Sequence, residues 1–375
     1  MPDIKSQSRD ELEARFKSWR QPAYRLTQLL EWLYVRRVAA WDAMTNLPKE
    51  LRSKLSGHFS LEVPELVRKQ GSPDTTEKFL WRLADHSLIE SVLIPANPGL
   101  YGEASDRHTL CISTQVGCAY GCRFCASGLE GWKRNLQPHE MIEQVLSVER
   151  MRGRDAADPE QADPARPLAR AAPMSSRAVD NIVVMGMGEP LANYDHLMRA
   201  LGILNAPWGG GIGARKITIS TSGLAPQIRR LAAGPSQFRL AVSLHGATDE
   251  TRGKIMPVNK KYPLSELVAA CMEYQEKKGR MITLEYILIA GVNDSVEQTR
   301  PLAALAKKIF AKVNLIPYNT VEGLPWKRPS DEVCEQFLKA LERQKVTATL
   351  RREKGHDIDA ACGQLRLKTE RDLAK

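Results

Sequence analysis

The spacing of apolar positions divides this chain into three rhythms. From residue 1 to about 60 they recur at helical intervals, with Leu12, Phe16 and Trp19 in DELEARFKSW, a stretch opening at Asp10. Leu26, Leu29, Leu30 and Leu33 form a stripe in YRLTQLLEWLYVRR after Pro22. Pro48 opens a further helix, PKELRSKL, since a helix start leaves that N–H unpaired in any case. Between 61 and 100 the period falls to two. EKFLWRLADHSLIESVLIP alternates and turns at Asp85 and His86, the pattern of a hairpin.

From about 108 short β-branched runs take over: HTLCIST (108–114), NIVVMG (181–186), KITIST (216–221), FRLAVSLH (238–245), MITLEYILI (281–289) and KVNLIPY (312–318). Helical stretches such as PHEMIEQVLSVERMR and PLSELVAACMEYQEKK separate them. Strand and helix in alternation make parallel β-structure with helical crossovers, hence an α/β fold. Six such units suit an open or partial (β/α)6 barrel or a flat doubly wound sheet, and pattern alone does not choose. Residues 153–180 break the rhythm. They are rich in Ala, Pro, Asp and Arg, and are expected to form a mobile surface insertion.

The expected organisation is therefore a small helical domain over 1–60 and a β-like connecting segment over 61–100. A core follows over 101–355, and a C-terminal segment over 356–375. A hydrophobic content of 43% over 375 residues is enough to bury a core. No run of eighteen apolar residues predicts a membrane span. The first residues are charged and lack the apolar stretch of a secretory signal, so a cytoplasmic protein with reduced cysteines is expected. Lys and Arg number 54 against 44 Asp and Glu, a net +10 that suits a polyanionic partner such as RNA, DNA or anionic lipid. In the first domain Trp19, Trp32 and Trp41 alternate with Lys17, Arg20, Arg25, Arg36 and Arg37. That mixture suits RNA contact, but a helical core with a solvated basic rim is the commoner explanation.

The chemistry concentrates in CISTQVGCAYGCRFCASG, residues 111–128. A disulfide framework does not suit a reducing compartment. A structural zinc site wants four ligands, and here Cys118, Cys122 and Cys125 give three, with Cys111 in a predicted strand. An iron–sulfur cube held by three cysteines leaves one iron open, as catalytic metal sites do. Gly117, Gly121, Ala126 and Gly128 let the backbone wrap a bulky group.

The C-x3-C-x2-C spacing, with Phe124 before its last cysteine, resembles the radical S-adenosylmethionine superfamily. MGMGEPLANYD, STSG, SLHGATDETR, MPVNKKY, EYILIAGVND, NLIPYN and DIDAACGQL are similar to the RNA adenosine methyltransferases of the RlmN and Cfr family, over about residues 80–368. The resemblance implies a partial (β/α)6 radical SAM barrel with a [4Fe–4S] cluster on Cys118, Cys122 and Cys125. It implies S-adenosylmethionine contacts at Gly188, Glu189, Ser220, Ser243, Leu244, His245 and Asn319. Taken singly, Ser220 reads as a helix cap, His245 as a structural histidine and Asn319 as a turn residue.

By the same resemblance Cys362 is the methyl carrier, Cys111 the thiol that forms a transient disulfide with it, and Glu90 the proton acceptor. Glu90 read by itself is an exposed strand carboxylate, and Cys362 an inert terminal cysteine. Cys271 and Cys334 sit in helical patterns as small core or surface residues. The implied reaction is methylation at C2 of adenosine 2503 of 23S rRNA, and of adenosine 37 of tRNAs. It uses two S-adenosylmethionine molecules and an external electron donor, in a monomer. Methylation at C8 is the near alternative, and a non-catalytic RNA-binding protein with a structural metal the distant one.

Overall fold

A computed structural model describes residues 1–72, 75–96, 107–155, 177–351 and 363–373. The N-terminal helices are α1 (Arg9–Ser18), α2 (Ala23–Leu30), which passes into a π turn at Glu31–Val35, and α3 (Lys49–His58). α1 begins one residue before Asp10. Ser8 accepts the N–H of Glu11, and the Glu11 carboxylate accepts the N–H of Ser8, so this capping box decides the start. The stripe of Leu26, Leu29, Leu30 and Leu33 is buried.

The three tryptophans are used in packing. Trp32 is buried and donates its indole N–H to Asn46 Oδ1. Trp19 lies against His58 and Phe59, and Trp41 packs on the same core. Arg36 stacks over Trp32 and pairs with Glu31, while Arg37 pairs with Glu149. The three tryptophans thus belong to the helical core, and Arg36 and Arg37 on its rim are ion-paired.

Lys5 fastens this domain to the rest. Its ammonium is 2.9 Å from Glu143 and 2.6 Å from the Glu62 carbonyl oxygen, and both ion-pair side chains are 1% exposed. Burial pushes the Glu143 carboxyl up, but Lys5 and Arg150 outweigh it and hold it below the usual carboxylate range.

The strands are β1 (Glu65–Gly71), β2 (Glu77–Arg82), β3 (Leu88–Pro95), β4 (His108–Cys111), a separate hairpin of β5 (Gln115–Gly117) and β6 (Trp132–Asn135), β7 (Asn181–Val184), β8 (Ile217–Thr221), β9 (Arg239–Ser243), β10 (Ile282–Leu288), β11 (Ala311–Pro317) and β12 (Ala348–Leu350). The crossover helices are α4 (Pro138–Asp155), α5 (Tyr194–Asn205), α6 (Ala225–Ala233), α7 (Asp249–Ile255), α8 (Leu264–Lys278), α9 (Thr299–Lys308) and α10 (Asp331–Arg343). A last helix, α11 (Gln364–Leu373), closes the described chain.

The large sheet runs β1-β2-β3-β4-β7-β8-β9-β10-β11-β12. From β4 onwards each strand of this sheet is parallel to its next neighbour in the sheet. A doubly wound sheet reverses its order at a switch point. This one never does, so it is the wall of a barrel left open between β1 and β12. β12 follows the six strands β4 and β7 to β11 as a further parallel strand. Residues 65–95 extend the same sheet by three antiparallel strands, with the turn at Asp85 and His86 as expected. β3 is buried on both faces over most of its length. α4 reaches one face through Ser91 and Gln144, and Leu365 of α11 packs with Leu80 and Leu88 on the other.

The 153–180 insertion falls largely outside the described residues, over 156–176. No helix among the described residues is long and apolar enough to cross a membrane. Removing Lys5 leaves Glu143 buried beside Arg150 alone. Lys5→Met is expected to cost about 3–5 kcal/mol, the usual cost of breaking a buried pair, read as a lower urea midpoint.

Candidate active site

After β4 the chain enters the β5–β6 hairpin, and the loop between these two strands carries Cys118, Cys122 and Cys125. Its ends are closed by Cys118 N–H to the Gly131 carbonyl at 2.9 Å. Arg123 N–H donates to Ile255 O, and Trp326 donates its indole N–H to Arg123 O. Burial pushes the Cys118 thiol up to about 12 and Cys122 well above its ordinary value. Neighbouring Cys125 and Glu189 add to both shifts. Thiols in such a place ionise only beside added positive charge, which iron supplies, so the donor set suits a cluster. No three His, Cys, Asp or Glu side chains among the described residues close round a single ion. A cube does not require that, because its thiolates bind separate irons. Ser127, in the same loop, has a buried hydroxyl without a hydrogen-bond partner.

Facing this loop is the turn after β7. Gly188 has φ +98°, and a Cβ there would stand 2.5 Å from the Gln115 side chain. Only glycine allows that approach. Gln115 in turn accepts the Glu189 N–H at 2.8 Å. The Glu189 carboxylate is buried, which pushes its pKa up. It accepts Thr221 Oγ1–H at 2.8 Å, Ser222 N–H at 2.6 Å and Leu191 N–H at 3.0 Å. Ser220 is buried inside β8, so it caps no helix.

Ser243 ends β9, and Leu244 and His245 follow it directly. His245 has φ +56°, and its Nδ1 accepts the Ile287 N–H at 3.0 Å. Burial pulls its pKa down to about 3, with help from Arg252, so the ring is neutral and carries its proton on Nε2. The ring meets Phe124 edge-on at 4.8 Å, which joins the cysteine loop to β9. Asn319 is half-buried and follows β11. The expected cofactor residues therefore gather at the C-terminal ends of β7, β8, β9 and β11, the end where barrels build sites.

Sequence reasoning missed the residues that hold these. Arg252 is fully buried and ties the strand ends together, donating to Leu244 O at 3.1 Å, Asn259 Oδ1 at 2.7 Å and Ser222 O at 2.5 Å. Thr221, Ser222 and Arg252 all lie inside the motifs STSG and SLHGATDETR, which was the available signal. Cys271 and Cys334 are core residues.

Glu90 departs from its bland reading. It is 3% exposed, and its carboxylate meets Lys78 Nζ at 3.0 Å. It also accepts the N–H groups of Gly363 at 2.7 Å and Arg366 at 2.6 Å. The hairpin made the strand legible, but the α11 that covers it is remote in sequence. Cys111 is 6% exposed and stands opposite Val92 of β3. Side chains two apart on a strand share a face, so Glu90, Val92 and Cys111 project from the same side. Cys362 lies outside the described residues, and Gly363 follows it directly.

Comparison with known proteins matches residues 112–302 to the Radical SAM superfamily, and residues 3–61 to the ribosomal RNA large subunit methyltransferase N-terminal domain. A crystal structure of a radical SAM methyltransferase from Sphaerobacter thermophilus is 42% identical, with a TM-score of 0.85, covering 97% of this chain and 99% of that one. Fold and site together define a radical SAM enzyme, a class that implies a [4Fe–4S] cluster and S-adenosylmethionine. Similar relatives include a probable dual-specificity RNA methyltransferase RlmN 3 of Opitutus terrae, 55% identical across 99% of this chain and 96% of that protein. Another is a probable dual-specificity RNA methyltransferase RlmN of Akkermansia muciniphila, 50% identical across 99% and 97%. The chain belongs to the RlmN family of radical SAM RNA methyltransferases.

The neutral His245 makes a pH prediction. The unfolded chain binds a proton near 6.5 and the folded ring only near 3. Stability from this group is complete above about 6.5 and falls as the pH drops, by at most about 1.4 kcal/mol per unit. His245→Gln keeps an acceptor for Ile287 N–H and cannot titrate. Between pH 7 and pH 5 the wild type is expected to lose about 2 kcal/mol more urea stability than this variant.

Proposed function

We propose that this enzyme methylates C2 of an adenosine in 23S rRNA and of an adenosine in tRNAs, as a cytoplasmic monomer supplied by an external electron donor. The observation that carries this reading is the half-buried three-cysteine loop facing the Gly188–Glu189 shelf at the strand ends. Adenine C2 is not nucleophilic, so an ordinary displacement on a sulfonium methyl does not reach it. The cluster and two molecules of S-adenosylmethionine supply, when bound, a methyl group and a carbon radical.

In this reading Cys118, Cys122 and Cys125 hold the cluster. Gly188, Glu189, Ser220, Ser243, Leu244, His245 and Asn319 hold the cofactor's amino acid and nucleoside parts. The Cys362 thiolate accepts the methyl group by displacement. After carbon–carbon bond formation, Glu90 takes the ring proton. The adduct's unpaired electron passes back to the donor system, and Cys111 then attacks the Cys362 sulfur, so that an S–S bond forms as the sulfur–carbon bond to product breaks and the released methyl carbon takes up a proton. The electron donor reduces that disulfide. Glu90 and Cys111 sharing one face of the sheet supports the pairing.

An unstacked target base needs an aromatic face and nearby positive charge. Trp132 on β6 is 50% exposed next to the cysteine loop and offers the aromatic face, beside Lys133 and Arg134, which are paired with Glu370, Asp85 and Glu140. The 1–60 domain, the 101–355 barrel and the 356–375 segment then divide RNA contact, radical chemistry and methyl carriage between them.

Anaerobic turnover with ribosomal RNA, followed by nucleoside mass spectrometry, is expected to yield 2-methyladenosine; 8-methyladenosine would replace this reading by the C8 one. Stoichiometric zinc in place of iron and sulfide would remove both. Cys111→Ala is expected to keep its iron and accumulate a covalent protein–RNA adduct, whereas loss of iron would make Cys111 a ligand. Trp132→Ala is expected to weaken RNA binding by about 1–3 kcal/mol, measured by filter binding at fixed salt.

A further inference from the structure

The contacts of Glu90 serve a purpose beyond proton acceptance. α11 begins at Gln364, immediately after the Cys362–Gly363 step, and its first N–H groups need acceptors. Glu90 provides them from a remote strand, with Oε2 on Gly363 N–H and Oε1 on Arg366 N–H. Lys78, fully buried on β2, sits 3.0 Å from the same carboxylate and compensates its charge.

The other walls of this seat come from the cysteine loop. Gly363 has φ +88°, and a Cβ there would lie 2.8 Å from Ser127 N and Oγ. Arg366 reaches Glu130 at 2.9 Å and Glu370 at 2.6 Å. Leu365 packs on Leu80 and Leu88 below. The C-terminal segment is thus held between the β2–β3 hairpin and the loop of Cys118, Cys122 and Cys125.

We propose that the buried Lys78–Glu90 pair is the clasp that seats the C-terminal segment, with Lys78 a positioning residue acting through Glu90 on the start of α11. A carboxylate has about four lone-pair positions, and these donors fill three. Holding the segment and accepting a proton therefore draw on the same two oxygens. The catalytic consequence rests on Cys362 being the methyl carrier; the clasp itself does not.

Hydrogen exchange of the full-length, cluster-loaded protein tests it, read in peptides of residues 363–373 and, as a reference, 264–278. Single variants strand a buried charge, so Lys78→Met/Glu90→Leu, which removes the pair together, is the main variant. Its expected result is exchange about tenfold or more faster in 363–373, as for loss of a helix cap and local opening, with 264–278 unchanged. S-adenosylmethionine affinity by equilibrium dialysis is expected to stay within about twofold, while the single-turnover rate of Cys362 methylation falls about tenfold.

Should the double variant not fold, Arg366→Pro is compared with Arg366→Ala. Both lose the guanidinium, and only the proline loses the N–H that Glu90 accepts, at a first-turn position that tolerates it. The proline variant is expected to exchange faster in 363–373. Exchange unchanged in the double variant, or equal in the two Arg366 variants, overturns the clasp, even where Glu90→Gln accumulates adduct as a missing proton acceptor. Faster exchange in a protein whose Cys362 never carries methyl upholds the clasp and removes the methyl-carrier reading instead.

Discussion

Desolvated thiols are the constraint on which this structure turns. Burial, with Cys125 and Glu189 adding to it, pushes Cys118 up to about 12 and Cys122 well above its ordinary value. A loop of this kind acts as a set of thiolates only when a cation is delivered into it. The protein therefore has to hold the loop's backbone without help from the sulfurs. It does so with the Cys118–Gly131 closure, the Arg123–Ile255 bond and the Trp326 indole, all made by groups other than the thiols.

The same logic governs the charged groups around it. Each buried charge is matched within its own neighbourhood: Glu189 by Thr221, Ser222 and Leu191, Arg252 by three oxygens, and Glu90 by Lys78 and the start of α11. Low dielectric makes such groups costly to leave unmatched, so every match also fixes a strand end or a helix start. The barrel mouth is stiffened by these pairings. At the opposite junction Lys5 and Glu143 use the same device to dock the helical domain.

Much of this was legible along the chain. The parallel strands announced themselves as β-branched runs, because a strand covered on both faces has no polar side to show. The cysteine spacing and the glycines of GMGEP were legible because a close backbone approach leaves few residue choices. Other features were not. Glu90 read as an exposed strand carboxylate because the helix that buries it begins 274 positions later, at Gln364. The tryptophans among basic residues of the first domain left RNA contact open beside the commoner core reading, since composition does not say which way a ring faces. Arg252 was not singled out, since a motif does not say which of its side chains is buried.

Sequence by itself determined the element types, the order of strand and helix, and the chemical kind of the central loop, since these follow from local periodicity and from side chains three or four positions apart. Only the tertiary structure decided that the sheet curls without reversing, that Cys111 shares a face with Glu90, and that Glu90 grips the start of the last helix. Those facts depend on which distant segments stack on one another. A two-residue strand period or a cysteine spacing carries no record of the partner that folds back from the far end of the chain.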